Sequence, residues 1–178
     1  MTYLEIFLLA IALSIDAMVV SFSYGLSFRE NRLKNALLLA FCTGLFQAGM
    51  PVIGYYLTSF VKSYIAPYAS IIVCTIFVFL GVKFIKEAFE KKEVSHCISV
   101  TCLILIGIAT SIDAFSAGIS LALYGNHILK PVLLIGAITF VNSCIGFKFG
   151  GNIKHLPSQG LEVFAGIVLI ALGIKAVL

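Results

Sequence analysis

The chain has 178 residues, 61% of them hydrophobic and only 11% charged, with a net charge of +4 and a mean hydropathy of +1.10. A soluble domain carries about 25% charged residues; here there is too little polar surface to clothe a globule in water, and the composition predicts an all-α polytopic membrane protein. The 12 basic residues sit mostly in short loops and form no long run, so they report membrane topology and argue against a nucleic-acid partner.

Six apolar segments follow one another, at about 4–24, within 35–60, and at about 66–85, 98–123, 132–149 and 161–178. A span needs about 20 apolar residues, within roughly 17 to 25, so the last two lie near the short end. Helices are expected because each backbone N–H and C=O must be satisfied inside the segment; the alternation of a β-barrel is absent. The first segment lacks the positive n-region of a signal peptide and carries Asp16, which predicts a retained helix. The charged run 86–93 is expected to extend the third helix into water. The loops leave no room for a soluble domain, so 1–178 reads as a single transmembrane domain. Five cysteines, Cys42, Cys74, Cys97, Cys102 and Cys144, form no Cys-x-x-Cys and read as small buried apolar residues.

With six crossings, one side of the membrane collects Arg29, Arg32, Lys34, Lys83, Lys86, Lys91, Lys92, Lys148 and Lys154, and the other Lys62, Lys130 and Lys175. The richer side is predicted to be cytoplasmic, which puts both termini outside.

The chain repeats itself. Ser14-Ile15-Asp16-Ala17 returns as Ser111-Ile112-Asp113-Ala114, 97 positions later, and these hold the only two aspartates. Lys34, Leu37, Leu38, Thr43 and Gly54 match Lys130, Leu133, Leu134, Thr139 and Gly150 at an offset of 96, and Leu80-Gly81-Val82-Lys83 matches Leu172-Gly173-Ile174-Lys175 at 92. The repeat unit is therefore three helices, about 1–93 and about 94–178. Three is odd, so the second copy enters from the opposite face, and the repeats are inverted about an axis in the membrane plane. That is a recurring plan of secondary transporters, with the substrate at the repeat interface near mid-depth.

A carboxylate at the centre of a span costs roughly 2.5 kcal/mol or more, and by default marks function. Two of them in low dielectric repel unless a cation or protons compensate. A divalent metal fits that need, and protons compete with it for the same oxygens. Helical spacing adds neutral oxygens. Ser23 falls on the face of Asp16; Ser120, flanked by Thr110 and Ser116, falls on that of Asp113. The second helix offers Thr43 and Gln47, and the fifth Thr139, Asn142 and Ser143. Oxygen ligands suit hard divalent ions such as Mn²⁺, Mg²⁺ or Ca²⁺.

Plainer roles compete. Intramembrane hydroxyls commonly bond their own backbone, and Gln47 and Asn142 can join helices. Ala12, Ala17, Gly25, Ala114, Ala117 and Gly118 suit close packing. His96, His127 and His155 fall in or beside loops, and Glu5 and Glu162 near helix ends, where a charge can reach the interface. No Lys or Arg lies deep enough to neutralise an aspartate. Ser14 and Ser111 point away from the aspartate face of a regular helix, so either they pack on a neighbour or the helix is irregular there.

These residues resemble the bacterial manganese efflux pump family (MntP), within the lysine exporter superfamily. The resemblance rests on Ala12-Leu13-Ser14-Ile15-Asp16-Ala17 and Ala109-Thr110-Ser111-Ile112-Asp113-Ala114, on Gly44-Leu45-Phe46-Gln47 followed by Pro51 and Gly54, and on the two Leu-Gly-x-Lys helix ends. It covers essentially the whole chain. It implies a multi-pass exporter in the cytoplasmic membrane that carries Mn²⁺ as substrate, with no permanently bound cofactor, and Asp16 and Asp113 match the family's intramembrane acidic positions. The expectation is proton-coupled efflux by alternating access, with lipid, Mn²⁺ and protons as the partners. Other cargo of the superfamily, cadmium, calcium or an amino acid, is the nearest alternative. An intramembrane aspartyl protease is the remote one, since its Gly-x-Gly-Asp motif is missing. No G-x-x-x-x-G-K-[ST] is present to bind ATP.

Overall fold

The computed structural model describes residues 2–28, 31–89, 100–125, 127–150 and 158–177, and these are helical apart from short turns. The helices are α1 (Tyr3–Ser27), α2 (Arg32–Ile65), α3 (Ala69–Glu87), α4 (Val100–Ala109), α5 (Ile112–Leu123), α6 (Leu129–Gly150) and α7 (Ser158–Lys175), with a 3₁₀ turn over Ala66–Tyr68. A capping box starts α1: the Glu5 N–H donates to Thr2 Oγ1, and the Thr2 N–H to the Glu5 carboxylate. At 34 residues α2 is roughly 51 Å long, longer than a bilayer core, and Pro51 sits inside it without ending it.

Four helices, α1, α2, α3 with its 3₁₀ lead-in, and α6, are long and apolar enough to cross a membrane. The protein is thus a multi-pass membrane protein. The fourth segment, expected as one helix, is α4 and α5 joined at a 45° bend. The sixth is α7, 18 residues and about 27 Å long, just short of a hydrocarbon core of about 30 Å. Helix length therefore supports four full spans and a bent fifth among the described residues, against the six drawn from the sequence. The charged run departs from expectation too, since α3 ends at Glu87 and a turn follows at Ala88 and Phe89; the rest of that run lies outside the described residues, as do Arg29, Lys154, His96, Cys97 and His155.

The bend has a local cause. Thr110 Oγ1 donates to the Ile106 carbonyl and Ser111 Oγ to that of Ile108, hydroxyls competing with the peptide ladder. A continuous helix would pair the Ala114 N–H with the Thr110 carbonyl. Instead Ala114 N–H donates to Asp113 Oδ1 at 2.8 Å, and the Thr110 carbonyl accepts from Gln47 Nε2 at 2.5 Å. Two side chains thus stand in for one helical hydrogen bond.

The halves interleave. α1 packs on α6 and α7, α2 on α4, α5 and α6, and α3 on α5 and α7; within a half, α1 meets α2 only slightly. α1 is buried on nearly every side, from Leu9, Ala12 and Leu13 to Ala17, Phe22 and Tyr24. Its main core shares Phe77 and Phe84 of α3, Ile135 of α6 and Leu169 of α7. A second cluster joins Tyr24, Leu39, Leu103 and Phe147, where Cys42 Sγ donates to the Leu103 carbonyl. Glycine permits the closest approaches: a Cβ at Gly54 would collide with the Phe115 carbonyl, and one at the repeat-equivalent Gly150 with that of Phe22. Outward lies apolar surface such as Phe41, Leu45, Tyr56, Phe79, Leu105 and Leu133, a lipid-facing coat. Cys42, Cys74 and Cys144 are free thiols, but Cys102 is disulfide-bonded, which corrects its reading as a plain apolar residue. Glu162, expected to reach the interface, is buried.

Candidate cation site

Asp113 stands in the first turn of α5, where helix N–H groups left over by the bend favour a negative charge. It is 3% exposed. One carboxylate oxygen takes the Ala114 N–H; the other, Oδ2, is buried with no hydrogen-bond partner among the described residues. Asp16, half-buried midway along α1, lies close enough to act on Asp113 as a like charge. The two repeated aspartates, 97 residues apart, are thus brought into one neighbourhood.

Gln47 joins them from α2. Its amide nitrogen is committed to the Thr110 carbonyl, which fixes its orientation, and its carbonyl oxygen Oε1 is buried without a donor among the described residues. Burying such an acceptor unpaired costs about 1–3 kcal/mol. Two acceptors of this kind, Asp113 Oδ2 and Gln47 Oε1, lie around the bend. Thr139 Oγ1 on α6 is another buried oxygen without a partner among the described residues.

The remaining predicted residues sort by what already holds them. Asn142 Nδ2 donates to Ser14 Oγ at 2.6 Å, and Ser14 Oγ donates in turn to the Ile11 carbonyl. Thr43 Oγ1 is shared between the carbonyls of Leu39 and Ala40 and the hydroxyl of Ser143, 3.0 Å away, so Thr43 and Ser143 tie α2 to α6. Ser23, Ser116 and Ser120 donate to carbonyls one turn back on their own helices, as Thr110 does. The hydroxyls of Thr110, Ser116, Ser120 and Ser23 are therefore engaged as helix-bonded groups, leaving lone pairs and no free donor.

The two serines of the repeated motif split the alternatives left by the sequence. Ser14 meets a neighbour, Asn142, while Ser111 sits where the helix is irregular. Two residues were missed. Ser21 Oγ is buried without a partner among the described residues; nothing in its spacing from Asp16 singles it out. Lys83 on α3 acts on Asp113 as an opposite charge, while its ion-pair partner is Glu87 at 3.6 Å on its own helix. Its place in the repeated Leu-Gly-x-Lys was the available signal.

Among the described residues no three His, Cys, Asp or Glu come together as a metal cluster. The candidate oxygens are of the carboxylate, amide and hydroxyl types, which suit hard cations.

A family profile described as "Putative manganese efflux pump" matches residues 30–177. The chain is 40% identical over 177 residues to a protein of Methanosarcina acetivorans, covering 98% of this chain and 95% of the other. It is 37% identical over 181 residues to one of Methanothermobacter thermautotrophicus, covering 100% and 97%, and 36% identical over 179 residues to one of Parabacteroides distasonis, covering 98% and 95%. Each of the three is named "Putative manganese efflux pump MntP". No solved structure matches the chain.

Proposed function

From a chain that belongs to the MntP family of manganese efflux pumps, we propose an exporter that carries Mn²⁺ out across the cytoplasmic membrane, with Asp16 and Asp113 as the carboxylates that hold the ion and protons as the counter-current. The chain is a transporter and not an enzyme, and Mn²⁺ is its cargo, not a resident cofactor.

The observation that carries the site is that Asp16 acts on Asp113 as a like charge while Asp113 Oδ2 and Gln47 Oε1 are buried acceptors without donors among the described residues. Two carboxylates neutralise one divalent ion, and Gln47 and Thr139 supply neutral oxygens nearby. When the ion leaves, two carboxylates that act on one another as like charges must be compensated again. Protons do that most simply, which links outward metal movement to inward proton movement.

Helix pairing supports six crossings as inverted repeats. Exchanging α1 with the bent pair α4–α5, α2 with α6, and α3 with α7 returns each pairing between the halves, and only the slight α1–α2 contact lacks a counterpart of similar extent. The ends sort in agreement: Tyr3 meets Lys130 and Glu5 meets Lys175 at one end, and Arg32 meets the Lys148 carbonyl at the other. The first end is taken as external, with both termini there, and the ion passes by alternating access.

The test is Mn²⁺ uptake into inverted membrane vesicles, with and without an imposed pH gradient. Uptake is expected, and faster with the gradient. Asp16→Asn and Asp113→Asn are each expected to lose it while remaining in the membrane at normal level. Wild-type uptake by either variant would falsify the site assignment, and uptake indifferent to the gradient removes the proton coupling. Cd²⁺ and Ca²⁺ in the same vesicles define the selectivity.

A further inference from the structure

The repeated Leu-Gly-x-Lys helix ends are used differently in the two halves. Lys83 pairs with Glu87 on its own helix. Its counterpart Lys175, on α7, reaches across to the Glu5 carboxylate on α1. The repeat offset of 97 places Cys102 at the position equivalent to Glu5, so the second half has no acid to make the corresponding bridge. Among the described residues the Lys175–Glu5 bond has no repeat-equivalent counterpart.

Glu5 is poorly placed for an ordinary surface ion pair. Its side chain is 13% exposed while that of Lys175 is 64% exposed, and its second carboxylate oxygen is held by the Thr2 N–H at 3.0 Å. A cavity of about 440 Å³ lies there, lined by Thr2, Glu5, Tyr124, Leu172 and Lys175. Glu5 precedes Asp16 by 11 residues, and Asp113 precedes Tyr124 by the same number. Eleven residues turn a helix to within roughly 20° of the same face and carry it about 16 Å along its axis. Both helices that bear the aspartates therefore lead from the site to this one cavity. Between those two levels along α1 and α5 stand Leu9, Leu13 and Leu121, all fully buried.

We propose that the Glu5–Lys175 ion pair is the outer gate of the pathway, and that the departing divalent cation opens it by taking the place of the Lys175 ammonium on the Glu5 carboxylate. The proposal rests on the exporter reading above for its direction. Breaking the bond frees α7 from α1 at the end where Leu172 lies beneath it. A carboxylate already stripped of most of its water and held by Thr2 is a ready oxygen ligand for a hard cation on its way out. A lysine, tethered and unable to leave, closes the gate behind it.

The test reads the gate and not transport. In the full chain carrying Leu172→Cys, modification by a membrane-impermeant maleimide added from outside is followed by peptide mass at that position. Glu5→Gln keeps the capping box, which accepts Gln as well as Glu, but removes the charge. Labelling is expected to be slow in the parent, about fivefold faster or more in Glu5→Gln and in Lys175→Met, and slow again in the reversed pair Glu5→Lys with Lys175→Glu. External MnCl₂ is expected to speed labelling of the parent and to leave Glu5→Gln unchanged. Single variants that label as slowly as the parent overturn the gate, and a parent indifferent to MnCl₂ overturns the displacement. Labelling from the cytoplasmic side alone overturns the assignment of this end as external. Vesicles that carry no Mn²⁺ while the labelling pattern holds would instead mark failure of the exporter reading.

Discussion

The amide of Gln47 is divided between two partners. Its nitrogen holds the Thr110 carbonyl, and its oxygen is buried without a donor among the described residues. Substitution separates the two. Gln47→Leu leaves the Thr110 carbonyl unpaired and is expected to lower the stability of the purified protein by about 1–3 kcal/mol, read by thermal unfolding in detergent. Gln47→Glu adds a stronger ligand oxygen but turns an acceptor toward that carbonyl. It is expected to transport as poorly as Gln47→Leu; improved Mn²⁺ uptake by Gln47→Glu would mean that the donor bond is dispensable. The aspartates were legible in the sequence because a carboxylate stands out against apolar text and both copies survive in the repeat. The donor role of Gln47 was not, since it depends on a carbonyl 63 residues away that only a broken helix sets free.

At the scale of the element, the bend between α4 and α5 makes the site. Replacing both hydroxyls, Thr110→Ala with Ser111→Ala, removes their competition with the peptide ladder and favours a continuous helix. The Ala114 N–H then returns to the carbonyl of residue 110, Asp113 loses its bond, and Gln47 loses its acceptor. Mn²⁺ uptake is expected to fall about fivefold or more, the effect of roughly 1 kcal/mol, with the protein still in the membrane. Close packing is tested on α2. Gly54→Ala drives a methyl into the Phe115 carbonyl and is expected to destabilise by about 1–3 kcal/mol, whereas Gly49, with nothing within 4 Å, is expected to tolerate alanine without loss of thermal stability. The apolar runs were readable as helices from length and composition. The bend was not, because no proline interrupts 98–123 and its cause is two hydroxyls and a partner on another helix. The odd direction of Ser111 was its one trace.

For the molecule as a whole, the repeat was legible in paired residues at nearly constant offset, but letters alone do not say whether two halves sit side by side or interleave. The packing of α1 on α6 and α7, and of α2 on α4, α5 and α6, means that neither half has a core of its own. Residues 1–93 and 94–178, produced separately, are each expected to be degraded; produced together in one cell, they are expected to accumulate and to restore manganese tolerance to a strain lacking the exporter. Accumulation of residues 1–93 alone at the level of the intact chain would show that the first half is self-sufficient.

That interleaving also sets a clock on biogenesis. The helix that must be buried on all sides is made first, and α6, which covers much of it, begins at Leu129, 102 residues after Ser27. At roughly 5–20 residues per second of synthesis, α1 waits about 5–20 s before its partner emerges, with Asp16 lacking its final surroundings at a cost of roughly 2.5–3.5 kcal/mol if it faces lipid. Whatever shelters nascent helices at the point of insertion must therefore hold this one until α6 emerges, and ribosomes that stall before residue 129 leave a product with no route to a folded state.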